Sequence, residues 1–131
     1  MQDEGFNGLV VRTVMSPSRR TFLIKFLSFQ NGCFIALVEG SNKIGSISVS
    51  INSSNKINTA KVIPSKFDSM FVNTISERVS SLINGICVVS FDSIKQLQLD
   101  DMKEIMGYIM NLIEEEYSQH GEKEHKAESE L

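Results

Sequence analysis

Few residues of this chain could catalyse a reaction, and its histidines lie near the C-terminal end. His120 and His125 are the only histidines among 131 residues, and both lie in a charged C-terminal stretch. A metal site needs ligands held in a fixed geometry, so both side chains are expected to be solvated instead. Because no histidine precedes residue 120, the sequence predicts neither a Ser-His nor a Cys-His nucleophilic pair in the folded part.

The other chemically active residue types are better explained by structure. Cys33 and Cys87 each lie inside an apolar, strand-like run and are predicted to be reduced core thiols, with a disulfide or a catalytic pair as the less favoured alternative. Adjacent carboxylates on a helix do not converge on one point, so residues 100–101 and 114–116 indicate a helix cap and a charged face. Residues 43–45 open a strand, which leaves no helix N-terminus to bind phosphate. We therefore expect no enzyme, no cofactor and no metal.

Composition narrows the classes of protein further. With 41% hydrophobic and 22% charged residues, the chain falls in the range of a single globular domain. Its net charge of −3 argues against binding nucleic acid, which needs a basic face. No apolar run approaches the roughly 20 residues that span a bilayer, and the N-terminus does not have the pattern of a signal peptide. A cytoplasmic or nuclear protein with no nucleic-acid or membrane partner is predicted.

The stretch Phe34–Ile51 is predicted to form the central hairpin of a sheet. Its first strand, Cys33–Val38, is an almost unbroken apolar run, which is typical of a strand covered on both faces. The second strand alternates between two sets of side chains, which therefore point to opposite faces. These sets are Ile47, Val49 and Ile51 on one face and Ser46, Ser48 and Ser50 on the other. Residues 40–43 supply the turn.

The remaining elements are predicted from periodicity and from turn residues. Strands are expected at 9–15 and 21–29, so that residues 21–51 form a three-stranded antiparallel meander, followed by a loop at 52–58 and a short strand at 59–63. A helix is predicted from the apolar stripe Phe67, Phe71, Ile75, Val79 and Ile83, widened by Met70 and Leu82 and ended by Asn84-Gly85. A central strand, Ile86–Phe91, and a last helix from Asp100-Asp101 to about Tyr117 follow, with Asp101 and Glu104 resembling a capping box.

These elements predict an α+β fold, in which an antiparallel meander sheet of about five to six strands packs with two amphipathic α-helices. Residues 1–117 are predicted to form one domain, of which residues 1–8 are frayed. Residues 118–131 are charged and almost without apolar side chains, which predicts a disordered tail.

Protein-binding surfaces remain as the candidate functional sites. Met102, Met106 and Met110 lie on one side of the last helix, where flexible thioethers can adapt to a partner, although ordinary core packing is the favoured interpretation. The uncharged face of Ser46, Ser48 and Ser50 is either simply solvated or the seat of another sheet or helix. Asn42 and Lys43 complete this set of candidates, at the turn beside the serines.

The order of these elements resembles that of the small proteasome assembly chaperones of types 3 and 4. The segment Asn42-Lys-Ile-Gly-Ser-Ile-Ser-Val-Ser50 looks like the central turn of type 3. The segments Ile75–Phe91 and Ile113–Tyr117 look more like type 4, but the tryptophan expected in a type 4 hairpin is missing. The resemblance covers residues 20–117 and leaves the type open.

The resemblance implies a non-catalytic function. Members of these two types form a heterodimer with each other, bind proteasome α-type subunits and promote assembly of the 20S α-ring. The partners implied for this chain are therefore a sister chaperone and α-type subunits. The main alternative is a dimeric scaffold of the roadblock, longin or profilin-like kind, which acts in trafficking or GTPase regulation and also combines a meander sheet with two helices.

Overall fold

A computed structural model of the chain describes residues 9–130, and its side chains as far as Ser118. The elements are β1 (Leu9–Met15), β2 (Thr21–Phe29), β3 (Gly32–Val38), β4 (Ser46–Ser53), β5 (Lys56–Ile63), α1 (Ser69–Ile83), β6 (Ile86–Asp92) and α2 (Leu99–Glu130). The strands form one sheet in the order β1-β2-β3-β6-β4-β5. The predicted α+β fold, with a sheet and two helices, is confirmed. The predicted frayed segment, residues 1–8, lies outside the described residues.

The predicted hairpin Phe34–Ile51 is wrong, because β6 lies between its two strands. β6 pairs in parallel with β3 and antiparallel with β4, so residues 21–51 do not form a meander. The β2–β3 hairpin within that stretch does form. β3 and β6 are the two apolar runs of the chain, and placing them side by side at the centre of the sheet covers both of them.

The segment 39–45 therefore crosses over the end of β6 instead of making a tight turn. The Glu39 backbone N–H donates to the carbonyl oxygen of Asp92 at 3.0 Å, and the Gly45 N–H donates to Ser90 Oγ at 3.1 Å. A Cβ on Gly45 would lie 2.1 Å from the carbonyl oxygen of Phe91. Only glycine allows the backbone to pass so close to β6.

The predicted loop 52–58 is mostly strand. β4 continues to Ser53, and β5 begins at Lys56. The turn consists of Ser54 and Asn55, which both adopt positive φ angles, of 54° and 63°. Two consecutive left-handed residues make a hairpin turn whose twist matches that of the strands. The predicted strand 59–63 is the second half of β5.

α1 lies across the sheet with a narrower apolar stripe than predicted. Phe71, Ile75 and Val79 are buried, as the periodicity predicts. Met70 is 82% exposed and Leu82 is 44% exposed, so they do not widen the stripe. The buried face is completed instead by Val72 and by two serines, Ser76 and Ser80.

The end of α1 has the predicted position but a different cause. Asn84 adopts the left-handed conformation, with φ of 54°, while Gly85 serves a close approach. A Cβ on Gly85 would lie 2.5 Å from the carbonyl oxygen of Asn31. The N–H of Gly85 donates to the Ser80 carbonyl oxygen at 3.1 Å, which completes the helix end.

The N-terminal cap of α2 lies three residues earlier in the chain than predicted. Gln98 holds the cap position, because its carbonyl oxygen accepts the first helical bond, from Met102 N–H. Asp101 is the third helical residue, and its carboxylate accepts a bond from the Gln98 N–H at 3.2 Å. Asp101 therefore has the reciprocal role in the capping box rather than the cap role. The helix continues to Glu130, beyond its predicted end near Tyr117; the side chains of 119–131, which include both histidines, lie outside the described ones.

The core lies between the two helices and one face of the sheet. Phe22, Phe26 and Ile35 from the sheet and Ile105 and Ile109 from α2 are almost completely buried. Cys33 and Cys87 are buried free thiols, as predicted, and stand opposite each other on β3 and β6. No helix within residues 9–130 is both long enough and apolar enough to cross a membrane.

Candidate interaction surface

Both helices cover the same face of the sheet, which we call the helix face. Residues that pair across neighbouring strands lie on one face, and Phe26, Ile35, Val89 and Ser48 form such a row. At one end of this row, Phe26 contacts Tyr117 of α2 edge-on, with ring centroids 6.2 Å apart. At the other end, Ser48 hydrogen-bonds to α1.

The opposite face of the sheet, which we call the open face, is covered by neither helix. One row of paired residues crosses all six strands on this face and is apolar throughout. Its members are Leu9, Leu27, Phe34, Val88, Val49 and Ala60. An uncovered antiparallel sheet face normally carries polar side chains, so this row is unusual for a surface that meets only water.

Side chains beside this row extend the apolar surface. Phe29, which lies beside the row, is 56% exposed, and the row members Leu9 and Phe34 are themselves 57% and 40% exposed. Val11 and Ile51 are also exposed. A contiguous apolar area on a protein surface is typical of a protein-binding site.

One charged side chain on the open face is held in place by a hydrogen bond. Lys25 projects from β2 on this face, and its Nζ donates to Asn42 Oδ1 at 2.8 Å. Asn42 belongs to the segment 39–45, which is thereby held at the margin of the open face. The lysine stem adds apolar surface while its ammonium is drawn toward the margin.

The predicted serine surface is corrected by the structure. Ser46, Ser48 and Ser50 lie on the helix face and are 7%, 0% and 0% exposed. Their hydroxyl groups are bonded within the chain, so they are not available to a partner. Ser48 Oγ donates to Asn73 Oδ1 at 2.7 Å, and Ser50 Oγ lies 2.7 Å from Ser76 Oγ.

The predicted methionine surface is also largely internal. Met106 is buried, and Met102 and Met110 are half-buried against the core, so the favoured interpretation of core packing agrees with the structure. Asn42 and Lys43 are exposed and remain candidates. The sequence reasoning missed the outward face of β4, formed by Ile47, Val49 and Ile51.

One end of the sheet carries a network of charged side chains. Arg20 donates to both carboxylate oxygens of Glu39, at 2.8 and 2.6 Å. The hydrogen bond with Glu39 raises the pKa of Arg20 and lowers the pKa of Glu39, so both stay charged. Their mutual bonds, and those to nearby backbone groups, offset the cost of removing them from water.

The second part of this network surrounds Asp101. Burial alone would raise the pKa of the Asp101 carboxyl, but hydrogen bonds from Ser18, Ser16 and the Gln98 N–H outweigh burial and lower the pKa to about 2. Asp68 lies nearby and accepts the Leu97 N–H. Its burial raises its pKa. These groups bind backbone and hydroxyl groups of the chain itself, which indicates a structural role.

Comparison with known proteins identifies the fold. No family model matches the sequence, and no curated protein matches it either. Among solved structures, the chain is similar to a chain of a yeast chaperone complex for 20S proteasome assembly, with a TM-score of 0.54 and 13% sequence identity. The match covers 86% of this chain and 94% of the yeast chain. At this identity the two share a fold.

Proposed function

We propose that this protein is a non-catalytic assembly chaperone. It forms a heterodimer with a related sister chaperone through the open face, binds proteasome α-type subunits and promotes assembly of the 20S α-ring. The observation that carries the proposal is the apolar row across six strands, which neither helix covers. The shared fold with a chain of a proteasome assembly chaperone complex favours this function over other uses of such a surface.

The dimensions of the open face suit a partner of similar construction. Six strands spaced about 4.8 Å apart, with about seven residues each at about 3.3 Å, form a face of roughly 24 by 23 Å. Its flat area of about 550 Å², increased by the relief of its side chains, approaches the lower end of a standard interface, which buries about 600–1,000 Å² on each partner. Two sheets pack well face to face when both present apolar side chains. We therefore propose a second sheet as the occupant.

Assembly of this kind requires no catalytic residue. The two histidines of the chain come after residue 118, and the two cysteines are buried. The hydrogen bond with the neighbouring Cys33 thiol, together with burial, raises the pKa of Cys87, so its nucleophilic form is disfavoured. These features support a binding function in the cytoplasm or nucleus.

Co-expression with the sister chaperone, followed by sizing with light scattering, tests the heterodimer. The wild-type chain is expected to form a one-to-one complex. Phe34→Glu places a charge in the apolar row and is expected to leave two monomers, because an unpaired charge in an interface is strongly unfavourable. Leu82→Glu is the matched control, since Leu82 is 44% exposed on α1 and Phe34 is 40% exposed on the open face.

The outcomes separate the parts of the proposal. A wild-type chain that stays monomeric beside its sister, and that retains no α-type subunit during purification from its own cells, would overturn the function. A complex that tolerates Phe34→Glu would overturn only the choice of the open face. Recovery of GTPases or coat proteins in place of α-type subunits would support the alternative, a dimeric scaffold for trafficking.

A further inference from the structure

The connection between β6 and α2, residues 93–98, is fixed in place by charged side chains from other elements. The Ile94 N–H donates to Glu39 Oε1 at 2.9 Å. Arg20 donates to the carbonyl oxygens of Lys95 and Gln96 at 2.8 and 2.9 Å. Side chains more than fifty residues earlier in the sequence thus bind three backbone groups of this connection.

The second half of this connection is held in the same way. The Leu97 N–H is directed to the Asp68 carboxylate, 3.2 and 3.3 Å from its two oxygens. The Gln98 N–H donates to Asp101, and the Leu97 side chain is buried, with 4% exposed. The backbone from Ile94 to Gln98 is therefore bound at every residue.

Two large aliphatic side chains on or next to this fixed backbone are exposed to solvent. Ile94 is 68% exposed and Leu99 is 65% exposed. Ile44, on the neighbouring segment 39–45, is 77% exposed. That segment is adjacent to the connection, because a Cβ on Gly40 would lie 3.4 Å from Ile94 Cδ1. Lys43 and Lys95, which adjoin Ile44 and Ile94 in the sequence, are exposed as well.

We propose that Ile44, Ile94 and Leu99, with Lys43 and Lys95, form a second binding surface, the linker surface. Its partner is a folded protein surface with an aliphatic contact area bordered by carboxylates. This inference rests on the proposed function, under which the open face binds the sister chaperone and the linker surface binds the α-type subunit.

Preorganisation and charge support this assignment. Fixing a loop before binding removes the entropy cost of ordering it at the interface, and this connection is fixed although its exposed side chains contribute little to the core. Exposed lysines next to exposed aliphatic side chains favour a partner with acidic groups, because complementary charge steers association and excludes partners of the wrong sign. The buried charges beneath are already bonded within the chain.

Binding of the preformed heterodimer to individually purified α-type subunits tests the inference. The subunits are immobilised one by one, and affinity is measured at low and high ionic strength. Lys95→Glu and Ile94→Ser are each expected to weaken binding to the recognised subunit by about tenfold or more. Raising the ionic strength is expected to slow association of the wild type more than that of Lys95→Glu.

Two matched controls lie at the opposite end of the molecule. Lys56→Glu makes the same change of charge at the exposed β4–β5 hairpin, and Leu82→Ser removes an exposed aliphatic side chain at the far end of α1. Both are expected to bind as the wild type does. All four variants should still form the heterodimer, because none lies on the apolar row of the open face.

The outcomes distinguish this inference from the proposed function. If the wild-type heterodimer binds a subunit and Lys95→Glu and Ile94→Ser bind it equally well, the linker surface is not the contact and the proposed function stands. If the wild-type heterodimer binds no subunit at all, the proposed function and this inference fail together. Weakening by the two control variants to the same extent would also overturn the assignment.

Discussion

The two faces of β4 have the reverse of the usual arrangement. Its serines face α1 and the interior, whereas Ile47, Val49 and Ile51 face outward on the open face. If burial in the free chain decided the orientation of this strand, its apolar side chains would be covered and its serines solvated. Under the proposed function, a partner covers the outward apolar side in the complex.

The serine side of β4 can be buried because its hydroxyl groups have hydrogen-bond partners. Ser48 and Ser50 both approach Ser76 Oγ, at 3.3 and 2.7 Å. Ser50 also approaches Thr59 Oγ1 at 2.8 Å, and Thr59 donates to Glu77. Buried polar groups cost little when each has a partner. This hydrogen-bonded layer between β4 and α1 acts as a polar core that also fixes the register of the helix on the sheet.

Adjacent residues on β4 provide the strongest test of this comparison. Ser48→Lys is expected to prevent folding, because overpacking costs about 1–3 kcal/mol and an unpaired buried charge about 3–5 kcal/mol. The total free energy of unfolding of a domain is about 5–15 kcal/mol. Urea denaturation of the isolated chain measures the effect.

Val49→Lys is the matched variant on the open face. It is expected to change the free energy of unfolding of the isolated chain by less than about 1 kcal/mol, because its ammonium can reach water. It should nevertheless abolish the heterodimer. Equal stability of the Ser48→Lys and Val49→Lys chains would contradict the orientation of β4.

A second test compares aromatic side chains on the two sides of the sheet. Phe71 of α1 is 7% exposed and meets Phe91 edge-on, with ring centroids 5.9 Å apart. Phe71→Ala is expected to cost about 3–5 kcal/mol through lost burial and a cavity. Phe34→Ala on the open face should cost the isolated chain much less, since Phe34 is 40% exposed. Urea midpoints that fall by the same amount would argue against an uncovered open face.

Much of the fold was predictable because most elements have a strong local signal. The β2 alternation, the apolar runs of β3 and β6, and the stripe of α1 each reflect one periodicity. The order of strands was not predictable, because the segment 39–45 is long enough either to turn back or to cross a strand. Which of these occurs depends on contacts with β6, which begins more than 40 residues later in the chain.

The serine surface was predicted on an accessible side of β4, whereas the structure buries these serines against α1. Serines at alternate positions usually indicate a solvated face, and nothing within β4 itself contradicts that rule. A signal did exist in α1, where Asn73, Ser76 and Ser80 recur on one helical face. A polar stripe on a helix and a polar stripe on a strand can satisfy each other, so the two patterns together could have indicated the buried layer.

A third test concerns the network of charged side chains at one end of the sheet, where Asp101 is fully buried. Its pKa in the folded chain, about 2, is below the ordinary value of about 3.9. The ionised carboxylate therefore stabilises the fold above about pH 4, and this contribution is lost as the pH falls from about 4 toward 2. Asp101→Asn is expected to cost about 1–3 kcal/mol at neutral pH.

Unfolding of the wild type and of Asp101→Asn across this pH range checks the prediction. The difference between the two free energies of unfolding should shrink as the pH falls below about 4. Asp100→Asn is the control, because Asp100 is exposed beside it and should have little effect. A difference that stays constant from neutral pH to pH 2 would show that the charge of Asp101 is not what stabilises this end.

The smallest effect is expected from the end of the chain. α2 packs on the helix face through residues 99–117, where Ile105, Ile109 and Ile113 are completely buried and Tyr117 OH donates to the Gly32 carbonyl oxygen at 3.2 Å. Residues 118–131 carry almost no apolar side chains, and a charged helix without an apolar stripe gains little from packing. Deleting them is expected to shift the thermal midpoint by less than about 2 °C, which on the scale of this domain corresponds to less than about 0.5 kcal/mol.

Scanning calorimetry of the chain ending at Tyr117 measures the shift. A chain shortened further, to Leu112, should lose several degrees because it removes Ile113 and Tyr117. A large drop already at Tyr117 would mean that the charged segment packs against the covered side, and that the domain does not end where the apolar pattern ends.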